Sequence, residues 1–272
     1  MRSALAACVV LAGCRALFGI DDVPVASPDA SGDAGTDAAL GCDLDAPFGA
    51  PVRLDSLATS FGEGDPRLSP DELTIYYDLW LPPANSPTYQ LYVATRQRID
   101  EPFGSAAILA SLDAVAGSAV PTAWPSPTPD GLALYFTSSR NGEFQIFLAT
   151  RPDLTSDFGA PDLIGSNTDV HPYVTPSGTA LYFSTDTRGG SNTNYAMYRA
   201  ELAPDGSYDQ VIPLPGIDPT QNNVAPAVTA DERTLYFCHV DGGCRVWVAT
   251  RSDPLGAWGS AQPLYELQKP SA

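Results

Sequence analysis

Few side chains in this 272-residue sequence could form a catalytic or metal centre. Histidine occurs only at His171 and His239, which leaves little material for a histidine-based metal centre or for a nucleophile–base pair. The sequence also contains no Gly-x-Ser-x-Gly elbow, His-Glu-x-x-His motif, phosphate loop or dinucleotide fingerprint. We therefore predict no catalytic residue, no metal site and no cofactor.

Carboxylates are the one abundant group with catalytic potential, since the chain holds 32 Asp and Glu residues. Two of them could form the acid–base pair of a glycosidase if they met across one cleft. Asp71, Asp130 and Asp231, however, stand in the short segments SPDE, TPDG and TADE, where Asp is expected because its side chain stabilises a turn. We expect a non-catalytic protein. The alternative is a carbohydrate-active enzyme, a glycosidase or lyase that uses loop carboxylates.

Four copies of one repeat occupy most of the chain. A strand motif recurs as LTIYYD, LALYFTSS, TALYFSTD and RTLYFCHV, and each copy follows a short polar turn. A proline precedes each turn, and these prolines are 59, 47 and 54 residues apart, at Pro66, Pro125, Pro172 and Pro226. A second apolar run and then a run with an aromatic residue follow each motif. Four short strands per unit at this spacing predict an all-β fold, a β-propeller.

One segment is left over when the blades are counted. PFGAPVRLDSL at 47–57 matches the fourth strand of a repeat, PFGSAAILASL at 102–112, yet no first three strands precede it. The sequence thus predicts four recognisable four-stranded repeats plus one orphan N-terminal outer strand. Either four blades close with the orphan on an edge, or the chain is a shortened relative of a larger ring. We expect an imperfect or open closure.

The repeats resemble those of TolB-type, WD40-like propellers. PTPDGLALYFTSSRNGEFQIFLA and VTPSGTALYFSTDTRGGSNTNYAMYRA carry the resemblance, with a proline, a Ser-Pro-Asp-Gly-like turn and two strands joined by a second polar turn. The first copy departs from the pattern, with Glu72 in place of glycine and an insertion at 79–90. The resemblance covers about residues 47 to 266. It implies a propeller in a cell-envelope setting and no particular activity.

The blade topology predicts where a partner would bind. Chain direction alternates along a blade, so the loops between second and third strands and the blade-to-blade connections emerge on one face. That face carries the long, variable connections, on which scaffolds place binding residues. Taken singly, each candidate is also explained as an ordinary exposed loop residue. The candidates are Asp65, Trp80, Trp124, Arg140, His171, Arg188, Asn223 and His239.

The N-terminus resembles the signal peptide of a bacterial lipoprotein. Met1-Arg2 precedes a short apolar stretch that runs into Leu11-Ala12-Gly13-Cys14, a tetrapeptide similar to a lipobox. The resemblance implies cleavage before Cys14 and lipidation of that cysteine. Arg15 stands where an acidic residue often retains lipoproteins at the inner membrane, so we expect the outer membrane. An ordinary signal peptide with an incidental cysteine is the alternative.

These segments divide the chain into four parts. We predict a signal peptide at 1–13, a lipidated cysteine with a disordered tether at 14–46, a propeller domain at 47–267 and a short tail at 268–272. Residues 20–46 hold seven Asp and no Lys or Arg among mainly Ala, Gly, Ser and Pro. Such a segment cannot bury enough apolar surface to fold, so we expect it to act as a flexible tether.

Two cysteines flank the hairpin loop of the last repeat. Cys238 and Cys244 stand on either side of HVDGG, and a three-residue loop at 240–242 would place them opposite each other. We predict a disulfide, which an oxidising envelope permits. Two reduced cysteines that serve as small hydrophobic residues are the alternative. Cys42 would be left unpaired in the tether.

The formal net charge of −18 excludes one class of partner. Nucleic-acid binding depends on Lys and Arg residues that neutralise phosphates. This acidic chain should repel phosphate groups. We expect an envelope lipoprotein, held to the membrane by its lipid anchor, whose propeller is a non-catalytic binding or scaffold module for an envelope protein, peptide or glycan. A third reading is a structural protein whose orphan strand or open edge recruits another β-strand.

Overall fold

The chain folds into a four-bladed β-propeller. The structure is a computed structural model that describes residues 48–49, 51–82, 88–112, 120–165, 168–186 and 194–267. Sixteen strands form four antiparallel sheets of four consecutive strands each, as the repeats predict. In these residues no helix is long and apolar enough to cross a bilayer. Several predicted features lie outside the described residues, namely the signal peptide, the tether with Cys14 and Cys42, Arg188 and the C-terminal tail.

Each blade is one repeat. Blade 1 holds β1 (Gly62–Leu68), β2 (Thr74–Leu81), β3 (Thr88–Thr95) and β4 (Ala107–Ile108). Blade 2 holds β5 (Thr122–Pro127), β6 (Ala133–Ser138), β7 (Gln145–Thr150) and β8 (Asp162–Leu163). Blade 3 holds β9 (Asp169–Val174), β10 (Ala180–Thr185), β11 (Ala196–Leu202) and β12 (Tyr208–Pro213). Blade 4 holds β13 (Asn223–Val228), β14 (Thr234–Val240), β15 (Cys244–Thr250) and β16 (Gln262–Pro263).

The second strand of a blade is buried on both faces because neighbouring blades pack against it. In β6, Leu134, Tyr135 and Phe136 are at most 2% exposed. A strand that is covered on both faces needs apolar residues at consecutive positions. The LYF motif of the sequence is such a run. The aromatic repeat motif is therefore the core of the fold.

In three of the four blades the turn before the second strand is stabilised by an Asp side chain, and in blade 3 Ser177 stands at the same position. The Asp130 carboxylate accepts hydrogen bonds from the Thr128 hydroxyl at 2.6 Å and from the Leu132 backbone N–H at 3.0 Å. Asp71 and Asp231 make the equivalent contacts in blades 1 and 4. These carboxylates are thus used in turns, which confirms the role inferred from their sequence context.

A leucine turn at the exit of a blade fills the interface with the next blade. Leu109 and Leu112 follow β4 and pack against Tyr76 of blade 1 and against Leu134 and Phe158 of blade 2. The Leu112 N–H donates to the Leu109 carbonyl at 2.9 Å, which closes the turn. We call this Leu-x-x-Leu segment an exit turn. A similar segment lies between blades 3 and 4.

The junction between blades 4 and 1 is built differently. Leu54 and Leu57 form an exit turn that packs on Ile75, Ala94 and Phe103 of blade 1. Among the described residues, that apolar cluster includes none from blade 4. The segment 47–57, predicted as an outer strand, contains no strand at its described residues 48–49 and 51–57. It fills one side of the junction as an exit turn instead.

Tyr236 of blade 4 shows the consequence of this arrangement. Its equivalents in the other blades are almost fully buried by the next blade, with exposures of 3% for Tyr76, 2% for Tyr135 and 0% for Tyr182. Tyr236 is only half-buried, and its ring lies 6.2 Å from that of Phe48. The junction is therefore less tightly packed than the other three, in line with the expected imperfect closure.

Candidate binding site at the channel mouth

An irregularity recurs in the innermost strand of all four blades. The register between the first and second strands shifts at this point in each blade, which is a β-bulge. The residue before the proline has left-handed backbone, with φ of 45° at Asp65, 54° at Trp124, 53° at His171 and 54° at Ala225. Such φ values are uncommon outside glycine, so the surrounding structure imposes them.

The bulges bring side chains of three blades together. The Trp124 and His171 rings have centroids 4.0 Å apart. The Asp65 carboxylate lies close enough to the Trp124 side chain for that side chain to oppose the rise of its pKa on burial. Arg67 places its guanidinium 5.4 Å from the centre of the Tyr173 ring, so blade 1 also reaches blade 3. We call this meeting point of blades 1, 2 and 3 the channel mouth.

Asp78 holds two tryptophans at the channel mouth. It is fully buried, its Oδ1 accepts a hydrogen bond from Trp80 Nε1 at 3.0 Å, and its Oδ2 accepts one from the Trp124 backbone N–H at 3.1 Å. Strand β1 leaves space for this arrangement at Gly64. A Cβ atom there would lie 2.5 Å from Asp78 Oδ1 and 3.0 Å from Trp80 Nε1. Asp78 therefore positions aromatic side chains.

The two carboxyl groups at the mouth retain protons more readily than exposed ones. Burial, and then the negative charge on Asp65, raise the pKa of Asp78 to about 8. Burial also raises the pKa of Asp65, although the charge on Arg67 opposes the shift. At neutral pH the pair therefore carries less than its full negative charge.

His171 acts as an aromatic ring at this site. Burial, and then the positive charge on Arg67, lower its pKa to about 3, so the imidazole is neutral at physiological pH. Its Nδ1 atom is buried and has no hydrogen-bond partner in the described part of the chain. Its closest ring contact is the 4.0 Å approach to Trp124.

Further half-buried rings surround Trp124 and His171. Centroid separations are 6.5 Å from Trp124 to Tyr89, 5.5 Å from Trp124 to Phe144, and 5.5 Å from Tyr89 to Trp80, its partner across the β2–β3 hairpin. The sixth ring lies 6.1 Å from His171. We call the whole set the aromatic mouth. It comprises Trp80, Tyr89, Trp124, Phe144, His171 and Tyr195.

The structure divides the eight predicted binding residues into groups. Four of them meet at the channel mouth, namely Asp65, Trp80, Trp124 and His171. Asn223 and His239 form a separate pair on blade 4, with Oδ1 and Nδ1 2.9 Å apart. On that blade the residue equivalent to the other bulge residues is Ala225. Its position directly before Pro226 is a sequence signal that identifies it.

Arg140 contacts the core of blade 2 and the exit turn of blade 1. Its guanidinium lies over the rings of Phe136 and Phe147, and its Nη2 donates to the Leu112 carbonyl at 2.7 Å. It thereby joins the second-to-third-strand turn of blade 2 to the exit turn of blade 1. In the part of the chain that the structure describes, no three His, Cys, Asp or Glu side chains are grouped as metal ligands.

Sequence reasoning missed several residues of the mouth. Asp78 could have been found, because it occupies the position of Thr137, Ser184 and Cys238 in the other repeats, and a carboxylate within a buried strand is unusual. Tyr89 stands in the insertion of the first repeat, where the repeat pattern gives no guide. The ring contacts of Phe144 and Tyr195 depend on how blades are placed, which no local pattern contains.

Cys238 and Cys244 are bonded to each other, with Cα atoms 5.4 Å apart. Their register differs from the expected direct opposition, since Cys238 pairs with Val246 and Cys244 with Val240. The cysteines are therefore diagonal neighbours across the hairpin. The connecting turn runs from 241 to 243, one residue later than expected.

Comparisons with known proteins identify relatives in fold. No protein-family model and no curated protein matches the sequence. The solved structure of TolB from Acinetobacter baumannii superposes with a TM-score of 0.51 at 21% identity, over 78% of this chain and 45% of that one. A putative TolB from Agrobacterium tumefaciens gives 0.52 at 17% identity, over 80% and 70%.

The matches cover different shares of the solved structures. This chain spans less than half the length of the Acinetobacter structure. The catalytic domain of a Coprinopsis cinerea GH62 α-L-arabinofuranosidase superposes with a TM-score of only 0.48 at 14% identity, over 75% of this chain and 68% of that one, too distant a likeness to carry an argument. At these sequence identities the two TolB structures show a similarity of fold only. The chain is similar in fold to TolB-type propellers.

Proposed function

We propose that this chain is a lipid-anchored propeller of the bacterial cell envelope that binds an envelope protein, peptide or glycan at its aromatic mouth without catalysing a reaction. The observation that carries the binding role is that Asp78 positions two tryptophans. Both of its oxygens accept hydrogen bonds from the protein itself, and they hold Trp80 and Trp124 in place. Fixed aromatic side chains on a rigid scaffold are characteristic of recognition surfaces.

The envelope setting is supported by the sequence. The apolar N-terminal stretch ends in Leu11-Ala12-Gly13-Cys14, and the repeats resemble those of TolB-type propellers. Labelling with radioactive palmitate in a bacterial host tests the anchor. The full chain should incorporate label, and Cys14→Ala should not. Equal labelling of both would contradict lipidation at Cys14.

Cross-linking of the full chain in native membranes tests the binding face. Wild type should form a cross-link that Tyr89→Ala and Phe144→Ala weaken. Leu154→Ala is the matched control, because Leu154 is apolar, 63% exposed and beside Gly131 in a turn on the opposite face. Loss of the cross-link in Leu154→Ala but not in the mouth variants would place binding elsewhere.

A glycosidase is the second candidate, because Asp65 and Asp78 are neighbouring carboxyls with raised pKa, as in acid–base pairs. Against it, Asp78 is 0% exposed. Incubation of the full chain with neutral polysaccharides decides the matter. Release of reducing ends by wild type, abolished in the isosteric variant Asp78→Asn, would establish the enzyme and overturn the binding role. We expect no release from either protein.

A further inference from the structure

The structure assigns a ligand class to the aromatic mouth: we propose that it binds an uncharged glycan chain, with successive sugar units packed on successive aromatic rings. This inference rests on the binding role proposed above and specifies it. It follows from four properties of the mouth, which are the spacing of its rings, their fixed orientation, the polar groups at their edges and the balance of charge.

The rings form a series that suits a repeating ligand. From Trp80 to Tyr89 to Trp124 the centroids are separated by 5.5 and 6.5 Å, and the rings come from two blades. A sugar ring presents C–H groups on its faces, which pack against aromatic surfaces, while its hydroxyls point outward from its edge. A chain of such rings matches a series of aromatic rings better than a single small molecule does.

The orientation of the two indoles is set before any ligand arrives. Asp78 accepts from Trp80 Nε1 at 3.0 Å and from the Trp124 backbone N–H at 3.1 Å. The Trp80 indole N–H is therefore used within the protein, and the Trp124 indole is held in addition by the His171 ring 4.0 Å away. A preorganised surface loses little conformational entropy on binding.

Neutral hydroxyl groups stand at the edges of the rings. Tyr89 and Tyr195 each carry a phenol hydroxyl, and burial is the main cause that raises the pKa of both, so they stay protonated at physiological pH. A phenol both donates and accepts hydrogen bonds, as does a sugar hydroxyl. Polar groups at the edge of an apolar face reproduce the pattern that a sugar itself presents.

The charge at the mouth favours an uncharged ligand. Arg67 lies near Asp65, while the raised pKa of Asp78 leaves that group mostly protonated at neutral pH. The charges of these three groups thus nearly cancel, and Asp186 adds a negative charge near Tyr195, so an anion gains no strong partner. The net charge of −18 further repels phosphate-bearing or uronate-bearing polymers.

Affinity electrophoresis of the full chain tests the inference. Native gels would contain dextran, mixed-linkage β-glucan, galactomannan or xylan as neutral probes, and alginate as the anionic probe. We expect retardation by at least one neutral polymer and none by alginate. Tyr89→Ala and Phe144→Ala should each weaken binding by about tenfold, because each removes one aromatic contact, whereas Leu154→Ala should bind as wild type does.

The outcomes separate the ligand class from the binding role. Thermal melts of every variant show which ones are folded, and only those are compared. Retardation by a neutral polymer that depends on Tyr89 and Phe144 supports the inference. Retardation by alginate alone, or none by any neutral polymer, overturns it. If a proline-rich peptide quenches the tryptophan fluorescence instead, the glycan inference fails while the binding role survives.

Discussion

Asp78 has an environment that in enzymes accompanies acid–base chemistry. It is buried, a second carboxyl lies nearby and its pKa is raised. Its hydrogen bonds point to another role, because they bind the side chain of Trp80 and the backbone of Trp124. A raised pKa therefore records the cost of burying a carboxyl group that serves to position rings, and it does not by itself identify a catalyst.

The titration of Asp78 gives a pH prediction for stability. Its pKa rises from an ordinary 3.8 to about 8 in the folded state, so folding retains a proton that the unfolded chain releases between these values. That stabilisation is full below about pH 4 and is lost as the pH rises through about 8. Asp78→Asn, which does not titrate, should gain in melting temperature relative to wild type as the pH rises from about 5 to about 8.

Thermal melts of both proteins across this range check the prediction. His171 titrates in the opposite sense, since its lowered pKa favours folding at higher pH. It is present in both proteins, so most of its effect cancels in the comparison. A difference in melting temperature that does not vary with pH would contradict the raised pKa.

Gly64 gives a test of the space around Asp78. Gly64→Ala places a methyl group 2.5 Å from Asp78 Oδ1, so the carboxyl and the Trp80 indole must move. We expect a loss of about 1–3 kcal/mol in the free energy of unfolding, measured by denaturant titration. Gly243→Ala is the matched control, because no atom lies within 4 Å of a Cβ at that position. Equal stability of the two variants would show that the contact does not constrain Asp78.

At the scale of strands and turns, the sequence repeats predicted the position of most strands. They did not predict the bulges within these strands or the register of the cysteine hairpin. The LYF motif identified the second strand of each blade, and the turn role of Asp71, Asp130 and Asp231, each just before such a strand, was assigned correctly. The bulges were not predicted, because Pro66 and its equivalents mark a position without fixing the register around it. The diagonal pairing of Cys238 and Cys244 was missed for a similar reason, since one residue of turn length decides which residues face each other.

The cysteine hairpin of blade 4 gives a prediction at this scale. A disulfide that closes a loop of sequence separation 6 should stabilise the fold by about 2 kcal/mol through the entropy of the unfolded chain. The double variant Cys238→Ser with Cys244→Ser should lose about this much in denaturant unfolding. Mass spectrometry after alkylation provides the check on oxidation. If both cysteines are alkylated without reductant in the denatured wild type, the predicted bond is absent.

At the scale of the whole molecule, the ring is held by a recurring contact that the last junction does not repeat. At two junctions an Arg directly after a third strand donates to a Tyr hydroxyl of the preceding blade, in the pairs Arg151–Tyr76 and Arg251–Tyr182. At the junction of blades 2 and 3, where Leu202 stands in place of the Arg, the Tyr135 hydroxyl instead donates to the Gly206 carbonyl of the next blade at 2.9 Å. The equivalent pair at the last junction is Arg96 and Tyr236. Arg96 lies over Phe103, with its Nη2 3.7 Å from Glu72 Oε2 of its own blade, and Tyr236 contacts Phe48.

The unequal junctions predict unequal costs of the same substitution. Leu112 is fully buried between two blades, whereas Leu57 is 8% exposed in a cluster that draws on blade 1 and its own segment. Leu112→Ala should therefore lower the free energy of unfolding by about 4 kcal/mol and Leu57→Ala by about 2 kcal/mol. Denaturant titrations of the two variants measure the difference. Equal losses would mean that the last junction is packed as tightly as the others.

At this scale the sequence repeats predict the number of blades but not how the last junction packs. The spacing of prolines from Pro66 to Pro226 predicted four blades, and the surplus segment 47–57 predicted an irregular closure. How that segment packs could not be predicted, because its Leu-x-x-Leu spacing suits an outer strand and an exit turn equally well. Only the contacts with Ile75 and Phe103 distinguish the two.

The four bulge residues have one further consequence. Asp65, Trp124, His171 and Ala225 share nearly the same φ although their side chains are acidic, indole, imidazole and methyl. The backbone therefore adopts this conformation whichever of these side chains it carries. The side chains at the mouth can differ without a change in the blades. Each bulge residue can therefore be changed separately. In blade 4 a larger side chain at Ala225 would add a fourth blade to the mouth, and to the ligand contacts that we propose there, without a change of fold.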